Sequence, residues 1–163
     1  AKCDISINFE DDEKILSDQI LVCANNILKD EFDINVIGFS QVNKIKILDY
    51  HTTVRLVSTQ EMLVVFSLDN NILDKFVSFF APEGTDISEF EGGLMTSITD
   101  EMLNTLVGRA MATFPPAYKN LELGSPMFID KGALELIESN NLSYNYEIST
   151  NFGTISISSI FLN

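Results

Sequence analysis

The sequence predicts an α+β domain in which a mostly antiparallel sheet carries helices packed on one face. Three observations lead to this class. A chain of 163 residues that is 45% apolar can bury a core of its own, so we expect a single domain over residues 1–163. Short β-branched segments follow one another between residues 34 and 68. Apolar residues recur at helical spacing on either side of these segments.

The N-terminal half of the chain predicts one helix followed by a meander. Residues 11–29 place acids at the start, Lys29 at the end and apolar residues at helical spacing between them, which suits a helix dipole. The segments INVIGFSQV, KIKIL, TVRLVS and MLVVFSL then predict three or four antiparallel strands. Because KIKIL alternates strictly, we expect it to be a strand with one face in water.

The C-terminal half predicts two helices and then further strands. LDNNILDKFVSFFAPEG predicts a helix whose first turn Asp69 or Asn70 can cap. A longer helix is predicted from about residue 87 to residue 114, where two prolines end it, and the glycine pair at 92–93 suggests a first turn nearer residue 94. After it, SPMFID predicts a strand, DKGALELIES a short helix or turn, and LSYNYEIST–NFG–TISISSIFL a hairpin.

The charge and the cysteines limit the classes of partner. A formal net charge of −14 repels phosphate backbones and anionic lipid headgroups, so we expect no nucleic-acid partner and no membrane partner. No apolar run approaches the roughly 20 residues of a membrane span, and the first residues lack the pattern of a secretory signal. Cys3 and Cys23 form no CxxC pair and fit a reducing compartment. We therefore expect a cytoplasmic protein.

The residue types argue against a metal site or a small-molecule active site. His51 is the only histidine, so a multi-histidine site is impossible, and the best interpretation of His51 is an exposed turn residue. The acidic clusters at residues 10–13 and 30–33 lack the spacing of a calcium-binding loop. No glycine-rich phosphate loop or nucleophile–base pair stands out. We expect no metal and no cofactor on this chain.

The third predicted helix carries a narrow polar stripe. With Ser97 at zero on a helical wheel, Glu101 lies at roughly +40°, Asn104 at −20° and Gly108 at +20°. An ordinary solvated helix face would be polar too, and pattern alone favours that interpretation. However, Gly108 costs about 1 kcal/mol relative to alanine inside a helix, and asparagine is a poor helix former. A position without a side chain, beside a carboxylate and an amide, favours a docking strip.

These residues resemble the signature helix of the CheX/CheC/FliY phosphatases, which act on the phosphorylated chemotaxis response regulator CheY. The family pattern is aspartate or serine, three residues, glutamate, two residues, asparagine, three residues and glycine, and Ser97, Glu101, Asn104 and Gly108 match each position. The likeness extends over residues 33–162, including the run MLVVFSLDNNILDKFVSFFAPEGTDISEF, the segment LELGSPMFIDKG and the terminal hairpin. Within this range, only the motif helix is specific to the family.

One departure favours a CheX-like rather than a CheC-like chain. CheC-type members carry the motif on two pseudo-symmetric helices. The first helix here has Asp18, Val22 and Asn25 at that spacing, with valine in place of the glutamate. We therefore expect one site per protomer.

The resemblance implies a role for each motif residue. It implies a phosphatase that hydrolyses the aspartyl phosphate of a CheY-type response regulator, with Glu101 and Asn104 catalytic and Ser97 and Gly108 in docking. The regulator would bring Mg²⁺ and a lysine, Glu101 would pair with that lysine, and Asn104 would position the attacking water.

The resemblance also implies a homodimer paired through sheet edges, for which the alternating TISISSIFL strand offers an edge. The alternative function is a non-catalytic binding or scaffold module for a phosphorylated regulator or a flagellar switch component. The intact Glu101 and Asn104 pair favours the enzyme, because a scaffold has no need of the amide.

Overall fold

The computed structural model describes residues 9–80 and 93–162, which form four α-helices and a six-stranded sheet. The helices are α1 Phe9–Phe32, α2 Asn70–Phe80, α3 Gly93–Met111 and α4 Lys131–Ser139. The strands are β1 Val36–Val42, β2 Tyr50–Val57, β3 Glu61–Leu68, β4 Glu122–Leu123, β5 Leu142–Thr150 and β6 Thr154–Leu162. The first residues, the predicted end of the second helix and the predicted residues 87–92 of the third helix lie outside the described residues.

The sheet has the order β1-β5-β6-β3-β2-β4, and every pair of neighbours is antiparallel. The predicted α+β class and the predicted terminal hairpin are confirmed. The expectation that TISISSIFL offers a free edge is wrong, because β6 lies between β5 and β3 and is hydrogen-bonded on both sides. Within the described part of the chain, β1 is the long strand at an edge of the sheet.

Alternation along the inner strands separates two cores. On β3, Val64 and Phe66 face the main core with α1, α2 and α3, whereas Leu63 and Val65 belong to a smaller cluster on the opposite face. Leu134 of α4 is fully buried in that smaller cluster. The predicted packing of helices on one face therefore holds for α1 to α3, and α4 covers part of the other face.

The predicted KIKIL strand is not a strand. Residues 44–48 belong to no strand, and side chains accept from two of their amides: the amide of Ile45 donates to Glu138 Oε2 at 2.6 Å, and the amide of Leu48 donates to Ser67 Oγ at 2.6 Å. Ile45 and Ile47 pack on the smaller cluster, whereas Lys44 and Lys46 are exposed. The alternation correctly indicated one buried face, but this segment crosses a face of the sheet instead of extending it.

The predicted SPMFID strand is also corrected. The short strand β4 lies just before it, and Met127 alone makes an isolated bridge with Thr53, with N–O distances of 2.8 and 3.0 Å. Leu56 pairs with Leu123 and Thr53 with Met127, so the register shifts by one residue between β4 and Met127 and the ladder is interrupted there.

The N-terminus of α2 is fixed by Asp69, one of the two predicted caps. Asp69 Oδ1 accepts a hydrogen bond from the amide of Ile72 at 3.0 Å, and Oδ2 accepts one from the amide of Thr154 at 2.6 Å. A side chain on Gly153 would place its Cβ 2.3 Å from Asp69 Oδ1, so the turn between β5 and β6 needs glycine here. One carboxylate thus joins α2 to the terminal hairpin.

We expect Asp69→Ala to lower the free energy of unfolding by about 2 kcal/mol, because it removes a helix cap and leaves the partly buried Thr154 amide without an acceptor. The measurement is urea denaturation monitored by circular dichroism. Asp74→Ala removes an exposed acid from the same helix and should change stability by less than about 0.5 kcal/mol. Equal effects of the two variants would contradict the role of Asp69.

Candidate functional site

The rotation of α3 is set by its apolar face. That face is buried against β2, β3, α1 and α2, and its buried apolar residues are Ile98, Met102, Leu103, Leu106, Val107 and Ala110. Thr99 is buried among them and donates its hydroxyl to the carbonyl of Met95 at 2.8 Å, so its polar group is satisfied within the helix. One side of α3 is therefore buried in the core.

The four residues of the predicted stripe all lie on the opposite side of α3. Ser97, Glu101, Asn104 and Gly108 are each exposed, and we call these four residues the α3 strip. Ser97 donates its hydroxyl to the carbonyl of Gly93 at 2.9 Å, so its side chain is held against its own helix. The structure therefore brings together on one surface all four residues that the sequence singled out.

Glu101 and Asn104 keep their hydrogen-bonding capacity. Among the described residues, neither side chain has a hydrogen bond or an ion pair. Their i, i+3 spacing places them side by side on one helix face. A carboxylate that can pair with a cation and an amide that can accept from a water are thus available together to a partner that covers the α3 strip.

Gly108 leaves an open position at the end of the α3 strip. A Cβ built there would meet no atom of the described residues within 4 Å beyond its own stretch of helix, so no packing in this part of the chain requires glycine. The next residue, Arg109, forms an ion pair with Glu31 of α1, and Thr113 donates to Gln19 at 3.2 Å. These contacts fix the C-terminal part of α3 to α1 beside the open position.

The corresponding positions on α1 differ in chemistry. Asp18 accepts a hydrogen bond from the hydroxyl of Tyr146 at 2.7 Å and pairs with Lys14 at 3.1 Å. Burial, and secondarily the hydrogen bond to Asp18, raise the pKa of Tyr146, which keeps its hydroxyl protonated as a donor. Val22 is exposed where the motif has its carboxylate, and Asn25 is exposed beyond it. At the corresponding spacing, α1 therefore lacks the combination of an exposed carboxylate and an exposed amide that Glu101 and Asn104 provide on α3.

The remaining sequence expectations concern metals, His51 and membranes. In residues 9–80 and 93–162, no group of three His, Cys, Asp or Glu side chains is placed to hold a metal ion. His51 lies half-buried in β2, not in an exposed turn, and its Nε2 donates to the carbonyl of Ile129 at 2.8 Å. No helix in the described part of the chain is long and apolar enough to cross a bilayer.

Asp100 is an acidic residue beside the α3 strip that the predicted stripe did not include. It is half-buried at the border of the α3 strip, and it has no hydrogen bond or ion pair with another described residue. On the wheel it lies roughly 40° from Asn104, one turn before it. The i, i+4 spacing to Asn104 was the sequence signal that could have identified it.

Comparison with solved structures relates this fold to chemotaxis proteins. A CheC-like superfamily protein from Shewanella sp. PV-4 superposes with a TM-score of 0.69 at 13% identity, covering 91% of this chain and 97% of that chain. The chemotaxis protein CheX from Vibrio vulnificus gives 0.67 at 13% identity, covering 90% and 98%. A chain of the CheX–CheY–BeF₃–Mg²⁺ complex from Borrelia burgdorferi gives 0.64 at 14% identity, covering 91% and 98%.

The fold is therefore that of CheC-like and CheX chemotaxis proteins, as the resemblance in the sequence predicted. No family model matches the chain, and no curated protein matches it in sequence. At sequence identities of 13–14%, the similarity to these proteins is a similarity of fold.

We expect Gly108→Ala to raise the free energy of unfolding by up to about 1 kcal/mol, because alanine is the better helix former and its Cβ enters open space. The measurement is urea denaturation of the protein without a partner. Destabilisation would contradict the open position assigned to Gly108. A stabilising substitution at this position would mean that glycine serves something other than the fold.

Proposed function

We propose that this protein is a phosphatase that hydrolyses the aspartyl phosphate of a CheY-type response regulator. The observation that carries the proposal is the exposed Glu101 and Asn104 pair, without partners among the described residues, on a helix whose other face is fixed in the core. The fold supports it, because a chain with this fold occurs in a CheX–CheY–BeF₃–Mg²⁺ complex.

The reaction needs a water positioned in line with the bond that breaks. Water attacks phosphorus, the bond to the aspartate oxygen breaks with its electron pair passing to the carboxylate, and inorganic phosphate leaves. Asn104 accepts a hydrogen bond from the water through its amide oxygen and orients it. A neutral amide suits this task, because a carboxylate in the same place would be repelled by the phosphoryl oxygens.

Charge stabilisation of the phosphoryl group falls to the regulator. Its bound Mg²⁺ would neutralise the phosphoryl oxygens, and this chain contributes no metal ligands to the proposal. Glu101 pairs with a lysine of the regulator and so fixes how the α3 strip enters the active site. Gly108 lets the regulator backbone approach α3, and Ser97, held to the Gly93 carbonyl, presents a small polar surface at the other end.

Substitution of Asn104 should impair hydrolysis, whereas substitution of Glu101 should impair binding of the regulator. Asn104→Ala should lower the hydrolysis rate at saturation by on the order of 100-fold while affinity for the beryllofluoride-bound regulator is retained. Glu101→Ala should weaken that affinity about tenfold or more, because a charge-assisted contact is lost at docking. The measurements are phosphate release and binding to the beryllofluoride-bound regulator, with Asp74→Ala as a surface-acid control.

The outcomes separate the enzyme from the alternative function. A wild-type protein that binds the regulator without accelerating phosphate release would support a non-catalytic binding module instead. Wild-type release rates in both variants would contradict the assignment of Glu101 and Asn104. Loss of binding in Asn104→Ala, with the fold intact, would contradict the division of roles between them.

We also propose that the protein is a homodimer that pairs through β1. Among residues 9–80 and 93–162, no strand pairs with the outer side of β1, and Ile37 and Phe39 are 72% and 67% exposed on it. A long apolar edge exposed in this way needs to be covered. Pairing of two β1 strands would continue the sheet from one protomer into the other and leave the α3 strips accessible.

We expect light scattering to give a dimer mass for the wild type and a monomer mass for Phe39→Lys, because a lysine on an edge strand disfavours pairing. Leu136→Lys alters an equally exposed apolar side chain on α4 and should remain a dimer. A monomer mass for the wild type at micromolar and higher concentrations would remove the proposal of a homodimer.

A further inference from the structure

Asp100 lies where it can hold the amide of Asn104. It is half-buried between exposed Asn104 and buried Val107, at the border of the α3 strip. Side chains of a helix lean towards its N-terminus, so the Asn104 amide lies over the turn that carries Asp100. The Cβ atoms of an i, i+4 pair lie about 5–6 Å apart, within the reach of a carboxylate–amide hydrogen bond.

The role assigned to Asn104 requires its amide to face one way. The amide has an oxygen that accepts and a nitrogen that donates, and the two ends exchange places when the terminal torsion turns by about 180°. Only the orientation with the oxygen towards the water assists attack on phosphorus. The amide of an exposed asparagine without a partner populates both orientations.

A carboxylate selects between these orientations because it only accepts hydrogen bonds. At pH 7 an aspartate can therefore bind the amide nitrogen and not the amide oxygen. Glu101 is adjacent too, but the proposed function commits its carboxylate to the regulator's lysine. Asp100 is the other acid within one turn of Asn104 on the described part of α3.

We propose that Asp100 is a positioning residue for Asn104: its carboxylate accepts a hydrogen bond from Asn104 Nδ2 and leaves the amide oxygen directed at the attacking water. This inference rests on the proposed phosphatase function and assigns a further residue to that site. The bond forms on docking, because a covering regulator removes the water that competes for both groups in the free protein, where neither side chain has a hydrogen bond to a described residue.

The kinetic test compares Asp100→Ala with Asp100→Asn. Alanine removes the acceptor, so kcat for hydrolysis of the phosphorylated regulator should fall about tenfold through loss of alignment, with KM within twofold of wild type. Asparagine keeps an oxygen that can accept from Asn104 Nδ2, so Asp100→Asn should retain most of the wild-type kcat. Asp74→Asn, at an exposed acid on α2, controls for the change in charge.

Two kinetic results would overturn the inference while the proposed function stands. If Asp100→Ala and Asp100→Asn both raise KM and leave kcat unchanged, Asp100 contacts the regulator by its charge. If Asp100→Ala keeps the wild-type kcat while Asn104→Ala loses it, the amide needs no positioning by Asp100.

A second measurement does not depend on activity. In the NMR spectrum of the protein saturated with the beryllofluoride-bound regulator, the side-chain NH₂ protons of Asn104 should be separated further in the wild type and in Asp100→Asn than in Asp100→Ala, because one proton is hydrogen-bonded. Glu101→Ala should leave that separation unchanged. If Asp100→Ala matches the wild type, the inference is wrong, whatever the outcome of the phosphatase assay.

Discussion

The packing of α3 against the sheet is the constraint on which the candidate site depends. Ile98, Leu103 and Val107 are buried on one side of this helix. Each fully buried aliphatic side chain contributes about 1.5–3 kcal/mol relative to exposure, so turning α3 to present other residues would remove several such contributions. The buried face therefore fixes the direction of the α3 strip, and the strip needs no internal contacts of its own to stay in place.

Periodicity predicted the helices and the terminal hairpin because it reports which side of an element is buried. Periodicity failed where the burial of one side of a segment does not determine which strands that segment pairs with. Ile45 and Ile47 alternate with lysines because one side of their segment rests on the smaller core, although side chains and not a neighbouring strand accept from the amides of Ile45 and Leu48. In the same way, the alternation of TISISSIFL says nothing about whether β6 has one neighbour or two. Strand order depends on contacts between distant residues, which a local pattern does not contain.

The position of the candidate site was predictable because a helical wheel needs only the number of residues per turn. Ser97, Glu101, Asn104 and Gly108 lie on the exposed face, as the wheel placed them. Asp100 was not identified, because a search for one narrow stripe excludes a residue at its border. The border matters, since a half-buried acid can reach an exposed amide one turn away. The chemical roles came from the family resemblance, and the wheel supplied none of them.

The two helices with motif spacing show why local spacing alone does not make a site. On α1, Asp18 is already bound by Tyr146 and Lys14, and valine occupies the position of the second carboxylate. On α3, Glu101 and Asn104 have no partner among the described residues. An asparagine and an interior glycine both lower helix stability, and neither gains a contact within the described protein in return. Residues that weaken a helix without supporting the fold are explained most simply by a partner, and on this chain they lie together on α3.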